Sequence, residues 1–308
     1  MNYYLYTPFS YTFRAQIKKT LKQLNVDYKN IVWQKYWSDT LERNPQMGLD
    51  LSATILILEN KYLKEPLCVL PETHHLVEQI LDTNFEGQVT TLKPVAEMFS
   101  IAVPKEKRFN GQVIEGIFVG YTTNRRFDED QAAFNLQHGT TIKTVLVPVA
   151  GKDDPILTIA YSDPQSPELI VLTSLVSRYE KILSARTATE FKVYAEDGKE
   201  PISLELTDDE YQTQFEIVRF VIGFIVYMSA HSDCLCDEQS IKMPASTKDS
   251  PKYIVRQARH FKPKGTIKPH YRNLRDERFY RHEWSNWPSG SRWVPVNMET
   301  IQVLENDD

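Results

Sequence analysis

The apolar segment IVRFVIGFIVYM, from Ile217 to Met228, constrains the fold more than any other part of the sequence. It is only 12 residues long and contains Arg219, so it falls short of the roughly 20 apolar residues that a bilayer-spanning helix needs. Ahead of it, Thr207 and Glu210 have the spacing of a capping box, in which both side chains satisfy free amides at the start of a helix. The sequence therefore predicts a long helix that is apolar nearly all round and lies in the centre of the protein.

The rest of the chain is large and apolar enough to surround such a helix. The sequence has 308 residues, of which 41% are hydrophobic, and this excludes a mainly disordered protein. It contains only 11 glycines, which argues against a glycine-rich cofactor loop, and we expect no cofactor. The three cysteines and an N-terminus without the pattern of a signal peptide lead us to expect a cytoplasmic protein without disulfides.

Three further helices are predicted from the spacing of apolar residues. The first follows the aromatic N-terminal segment and carries Phe13, Ile17, Leu21 and Leu24. The second opens at Pro71 and has an apolar stripe made of Leu76, Val77, Ile80 and Leu81. The third begins at Pro167 and carries Leu169, Leu172, Val176, Tyr179 and Leu183. We expect this third helix to pack on a sheet together with the central helix.

The middle of the chain predicts β-structure, because runs rich in Val, Ile, Phe and Tyr alternate with turn residues. The predicted strands are Phe99–Val103, Val113–Tyr121, Lys143–Val149 and Ile156–Tyr161, followed by a hairpin formed by FKVYAE and ISLEL around Asp197-Gly198. These elements indicate an α+β fold, with a mostly antiparallel sheet packed with helices that include the central apolar one. We expect a mainly helical region over residues 1–70, an α+β core over 71–243 and a basic, aromatic-rich C-terminal module over 244–308.

The charge of the chain is divided unevenly. The net charge is −5, yet the stretch from Lys252 to Arg292 has 11 Lys and Arg against three acids, a net +8, which leaves −13 on the remainder. Such a division indicates either a polyanionic partner for the basic module or an internal clasp between this module and the acidic body.

The candidate binding residues lie in this basic module. If the segment were a helix, its arginines, three residues apart, would form a broad basic flank. Guanidinium groups pair with phosphates or carboxylates, and nearby aromatic rings can stack on bases. Alternatively, the aromatic residues pack the module onto the body and the arginines close the clasp. The candidate residues are His270, Arg272, Arg275, Arg278, Arg281, His282, Trp284, Trp287, Arg292 and Trp293.

Two catalytic or metal-binding interpretations are weaker. His231, Cys234 and Cys236 offer zinc-binding atoms, but no second cysteine pair completes a tetrahedral site. A metal-dependent ribonuclease would use the histidines and acids of the basic module, whose order matches no nuclease signature. Its candidate residues would be His270, Asp276, Glu277, His282 and Glu283. We therefore expect no metal, assign no catalytic residue and favour a protein that is not an enzyme.

The order of several segments resembles the type V-A anti-CRISPR proteins of mobile elements that silence production of the effector nuclease. The resemblance extends from Leu76 to Val303 and is carried by ILDTNFEGQVTTLKPVAEMFSIAVP, EGIFVGYTT, VIGFIVYMSA, YIVRQA and KPHYR…RHEW…RWVPVN. The terminal module of that family has Pro-His-x-Arg, then His-Trp, then a strand with Trp. In this chain Glu283 separates His282 from Trp284.

The resemblance implies a phage or plasmid protein that acts in the cytoplasm of a bacterial host to evade its defence. Such a protein recognises the nascent polypeptide of a CRISPR effector nuclease, with the ribosome or RNA as further partners and without membrane contact. It then brings about translation-coupled decay of the encoding mRNA. The alternatives are a ribonuclease that cleaves the message itself and a purely structural or assembly protein.

Overall fold

The computed structural model contains five complete α-helices and twelve β-strands in the part of the chain that it describes. That part comprises residues 3–25, 27, 50–85, 92, 94–162, 169–179, 207–231, 234–237, 252–257, 270–287 and 289–296. The helices are α1 Phe9–Gln23, α2 Asp50–Tyr62, α3 His74–Asp82, α4 Asn124–His138 and α5 Asp208–Ala230. The strands are β1 Tyr3–Tyr4, β2 Cys68–Pro71, β3 Asn84–Phe85, β4 Met98–Ile101, β5 Val103–Pro104, β6 Ile117–Thr122, β7 Ile156–Ser162, β8 Leu169–Leu175, β9 Leu235–Asp237, β10 Lys252–Val255, β11 His270–Leu274 and β12 Arg292–Val296.

A mixed sheet of seven strands, in the order β8-β7-β6-β4-β2-β10-β9, is the main framework. Its neighbouring strands are antiparallel, except that β2 runs parallel to both β4 and β10. Two smaller sheets contain β1 with β5, and β12 with β11 and β3. These observations confirm the predicted α+β class and its mostly antiparallel sheet. Strand β10, from the range expected to form the C-terminal module, lies within the main sheet between β2 and β9.

Helices cover both faces of the main sheet. Alternate residues of β6 and β7 enter different cores, because successive side chains of a strand point to opposite faces. Val119 and Ile159 lie in one core with side chains of α3 and α5, whereas Phe118 and Ala160 lie in the other with side chains of α1, α2 and α4. The protein thus has three layers, and its central strands are buried on both sides.

Helix α5 is buried at 16 of its 23 residues. Its N-terminus has the predicted capping box between Thr207 and Glu210. The helix is 23 residues long, well beyond its 12-residue apolar run. By length and composition it could cross a membrane, but 83% of its most apolar 18-residue window is buried inside the protein. This burial is that of a core helix, as the sequence predicts.

The polar side chains on α5 tie neighbouring segments to it. Arg219 donates to the carbonyl oxygens of Leu81 and Thr83, at 2.9 and 2.8 Å, where α3 ends. The Tyr227 hydroxyl donates to the Arg256 carbonyl oxygen at 2.9 Å, directly after β10. Because a buried polar group without a partner is costly, these contacts also allow the helix to be buried.

On the opposite face of the sheet, Glu59 of α2 joins that helix to the N-terminus. Its carboxylate is fully buried and accepts hydrogen bonds from the Tyr6 hydroxyl and from the Phe9 and Ser10 amides, the latter two at 2.6 and 2.9 Å. It therefore caps the first turn of α1. Burial raises the pKa of the Glu59 carboxyl above its usual value, and the three donors offset part of this rise.

The predicted strand Lys143–Val149 is wrong, because this segment is a loop. Side chains of α4 satisfy its backbone where a neighbouring strand otherwise would. Asn124 accepts from the Val147 amide at 3.2 Å, and Gln131 accepts from the Thr144 amide at 2.8 Å. The apolar residues here resemble a strand in the sequence, but their hydrogen bonds go to a helix.

The predicted helix from Pro167 is also wrong, because Leu169–Leu175 forms strand β8. Its apolar residues face alternate cores, Leu172 on the side of α5 and Val171 on the side of α4. Among the described residues of this segment, only 176–179 are helical. The second predicted helix is confirmed as α3, although Pro71 belongs to β2 and Thr73 provides the N-cap. The FKVYAE and ISLEL hairpin lies outside the described residues.

A close approach of two backbones at Gly116 gives a test of the packing between the N-terminal segment and the sheet. A Cβ atom added at Gly116 would lie 1.9 Å from the Tyr6 amide nitrogen, so Gly116→Ala should destabilise the protein by about 1 to 3 kcal/mol through overpacking. Gly120→Ala is the matched control, because its Cβ meets the flexible Met98 side chain at 3.2 Å. Urea unfolding of both variants checks the difference, and equal stabilities would contradict the packing described.

Candidate functional site

The candidate arginines lie in a long β-hairpin, residues 270–296, which we term the arginine hairpin. Strands β11 and β12 pair antiparallel from His270 opposite Val296 to Leu274 opposite Arg292. Strand β11 also pairs in parallel with β3, and β12 contacts α5. The base of the hairpin is therefore built into the protein body, and residues 275–291 connect its two strands.

The arginines do not share the helix that their spacing would allow, so the basic flank expected on a helix is wrong. Arg272 lies on β11 opposite Val294, and Arg275, Arg278 and Arg281 occupy the connecting loop. Two 3-10 turns, Glu277–Phe279 and His282–Trp284, form there instead. The Asp276 side chain accepts from the Arg278 amide at 2.9 Å and so caps the first turn.

Tyr280 closes the loop onto the ends of both strands. Its hydroxyl donates to the Leu274 carbonyl oxygen at 2.6 Å and accepts from the Arg292 amide at 2.8 Å. The Ser289 hydroxyl also donates to the Arg275 carbonyl oxygen. These hydrogen bonds fix the loop at its base, and no local sequence pattern predicts them, because they depend on the pairing of the two strands.

An aromatic cluster braces the inside of the loop. The rings of Trp284 and Trp287 meet edge to face with centroids 4.6 Å apart. The Arg292 guanidinium stacks on Trp284 at 4.4 Å and donates to the Phe279 carbonyl oxygen at 3.2 Å. Three of the expected binding residues, Trp284, Trp287 and Arg292, are thus engaged in ordering the loop.

The remaining arginines of the loop face solvent. Arg275, Arg278 and Arg281 are all exposed, and so is His282. Arg278 pairs with the adjacent Asp276 at 3.5 Å, with 67% and 56% of the two side chains exposed, so water screens this pair strongly. Within the described ranges, no carboxylate of the protein body pairs with any of these three arginines. Their positive charge is therefore accessible to a partner.

His282 shapes this exposed surface through its backbone. It has a φ of 55°, in the left-handed region that most side chains avoid. His282 is the first residue of the second turn, which begins three residues after the first turn ends at Phe279. The change of direction leaves Arg281 and His282 exposed side by side.

Other candidate residues are only partly described. The structure describes the backbone of His270, Arg272 and Trp293 but not their side chains, and the same holds for Glu283. No cluster of three metal-ligating side chains occurs among the residues whose positions are described. Asp276, a residue of the ribonuclease alternative, is engaged in capping a turn.

Comparison of the chain with protein-family models, with curated proteins and with solved structures gives no match. Function is therefore inferred from the geometry of the arginine hairpin together with the sequence resemblance to type V-A anti-CRISPR proteins. The hairpin offers exposed guanidinium groups on a braced loop, which suits an anionic partner that is held at several points.

The contacts of Tyr280 predict how the hairpin is stabilised. Tyr280→Phe removes two hydrogen bonds and should lower the free energy of unfolding by about 1 to 3 kcal/mol. The Arg292 amide should lose protection from hydrogen exchange, because its acceptor is the Tyr280 hydroxyl. Tyr253→Phe in β10 is the control. Unchanged protection of the Arg292 amide in Tyr280→Phe would show that the hydroxyl does not close the loop.

Proposed function

We propose that this protein is a non-enzymatic inhibitor that recognises the nascent polypeptide of a CRISPR effector nuclease and suppresses its production. In this proposal the arginine hairpin holds RNA close to the site of synthesis. The observation that supports RNA binding is the exposure of Arg275, Arg278 and Arg281 on a loop that is ordered by its own internal contacts. The choice of target rests on the sequence resemblance.

The three exposed guanidinium groups suit a flexible phosphate backbone. Each planar guanidinium can donate two parallel hydrogen bonds to a phosphate, which makes arginine a stronger phosphate ligand than a lone point charge. Because Tyr280 and the tryptophan cluster order the loop before RNA arrives, less conformational entropy is lost on binding. His282 lies beside Arg281 on the same exposed surface and offers a further hydrogen-bonding group.

RNA and a nascent chain are present together on a translating ribosome. A protein that contacts both needs only modest affinity for each, because the second contact forms at a high effective concentration after the first. RNA held by the arginine hairpin would keep the protein at the ribosome while the target segment of the nuclease emerges. The inhibitor would then act only on messages that are being translated.

RNA binding by the hairpin has a measurable salt signature. Replacing Arg275, Arg278 and Arg281 together by Ala should weaken binding of single-stranded RNA. Loss of three phosphate contacts should reduce the slope of log K against log salt concentration by about 2, since each contact releases counterions. Fluorescence anisotropy across a salt series measures both quantities. Lys18, Lys19 and Lys22, which are exposed on α1, provide a matched triple-Ala control with the same change in charge. Equal slopes for the two variants would contradict the assignment.

Suppression in cells tests the whole proposal. In bacteria that express a type V-A effector nuclease, the wild-type chain should lower the level of nuclease and of its mRNA, whereas the triple arginine variant should not. Pull-down from translating cells, with and without ribonuclease treatment, identifies the bound nascent chains and RNA. Full suppression by the triple arginine variant would contradict a role for the hairpin. Cleavage of purified RNA by the wild-type protein with added divalent metal would instead support the ribonuclease alternative.

A further inference from the structure

A small cleft lies between α1, α2 and α4, on the side of the main sheet opposite α5. Its volume is about 150 Å³, which is below the range of roughly 300 to 1,000 Å³ for pockets that hold drug-sized ligands. It could hold one ring or a short branched chain. The lining residues are Ser10, Tyr11, Arg14, Leu56, Asn60, Leu63, Phe134 and His138.

The floor of the cleft is apolar. Leu56 and Phe134 retain only 2% and 3% exposure, and the half-buried Leu63 lies beside them. The His138 ring packs on Phe134 with centroids 4.5 Å apart. An apolar ligand group that packs on these side chains would be removed from water on the side that faces them.

The rim of the cleft is positively charged. Arg14 is exposed and, within the residues that the structure describes, makes no ion pair. Lys64 follows the lining residue Leu63, and its charge acts on His138. Among the residues that the structure describes, no carboxylate lines the cleft. The nearby Glu59 is directed into the core, where it accepts three hydrogen bonds.

Neutral polar groups occupy the wall between the floor and the rim. His138 Nε2 lies 3.3 Å from Asn60 Oδ1, and Asn60 Nδ2 donates to Gln137 Oε1 at 3.3 Å. Burial, and then the charge of Lys64, lower the pKa of His138, so the ring is neutral at pH 7. A neutral imidazole can donate a hydrogen bond without adding a fixed charge.

We propose that this cleft binds a small amphipathic carboxylate. Its apolar body lies against Leu56 and Phe134, and its carboxylate pairs with the Arg14 guanidinium. The combination of an apolar floor, a cationic rim and a lining without acids among its described residues favours a molecule with one anionic group at one end. The cleft lies apart from the arginine hairpin, so this site does not depend on RNA binding.

Calorimetric titration of the full chain with phenylacetate tests the site. Phenylacetate should bind saturably to one site, and the isosteric phenylacetamide should bind about tenfold more weakly or worse, as expected for the loss of a charged hydrogen bond. Acetate, which lacks the apolar body, should also bind more weakly than phenylacetate. The ring protons of His138 should shift in NMR spectra as phenylacetate is added.

Two substitutions on one exposed helix surface complete the test. Arg14→Gln should weaken phenylacetate binding to about the level of phenylacetamide, whereas Lys18→Gln, one turn further along α1 and outside the cleft, should leave it unchanged. Both side chains are exposed, so neither variant is expected to unfold. The proposal is overturned by any of three results: no saturable binding of phenylacetate, equal affinity for phenylacetate and phenylacetamide, or equal effects of the two substitutions.

Discussion

The burial of α5 is the constraint on which the rest of the structure depends. A helix that is apolar on nearly every side must be covered on every side, because each exposed apolar side chain would cost hydrophobic stabilisation. The main sheet, α3 and strand β12 supply this cover. The few polar groups of α5 then bind the surrounding segments, with Arg219 at the end of α3 and Tyr227 next to β10.

This constraint also explains why the arginine hairpin can present a fixed surface. Its strand β12 contacts α5, and β11 joins β3, so the hairpin begins from an ordered base. The loop is held by Tyr280 and filled by Trp284 and Trp287. Because these three residues hold the loop, the guanidinium groups of Arg275 and Arg281 are not needed for its structure and remain exposed. Trp284 and Trp287 thus order the loop, and Arg275 and Arg281 are exposed on it.

Much of the fold could be predicted from the sequence, for physical reasons that also explain the errors. Helix α5 was predictable because its apolar run and capping box are both local signals. Strand β8 was taken for a helix because it lies between two cores, so both of its faces are apolar and the period of two is lost. The loop 143–149 was taken for a strand because the Asn124 and Gln131 side chains that satisfy its backbone are distant in sequence.

The candidate site was located by composition, but its shape was not predictable. The excess of arginine marked the segment that forms the arginine hairpin, whereas the helical spacing of those arginines was misleading. Tyr280 closes the loop through hydrogen bonds that depend on the pairing of β11 with β12, which no local pattern reveals. The cleft beside Arg14 could not be predicted from the sequence for the same reason, since its lining residues come from three helices that are distant along the chain.

The most direct measurement is ultraviolet crosslinking of the wild-type protein to RNA in purified complexes of ribosomes with nascent chains, followed by mass spectrometry of the crosslinked peptides. If the exposed arginines hold RNA, the crosslinks should fall within residues 275–292, where the arginines adjoin aromatic rings. Crosslinks confined to other parts of the chain, with residues 275–292 unmodified, would contradict the proposal that the arginine hairpin binds RNA.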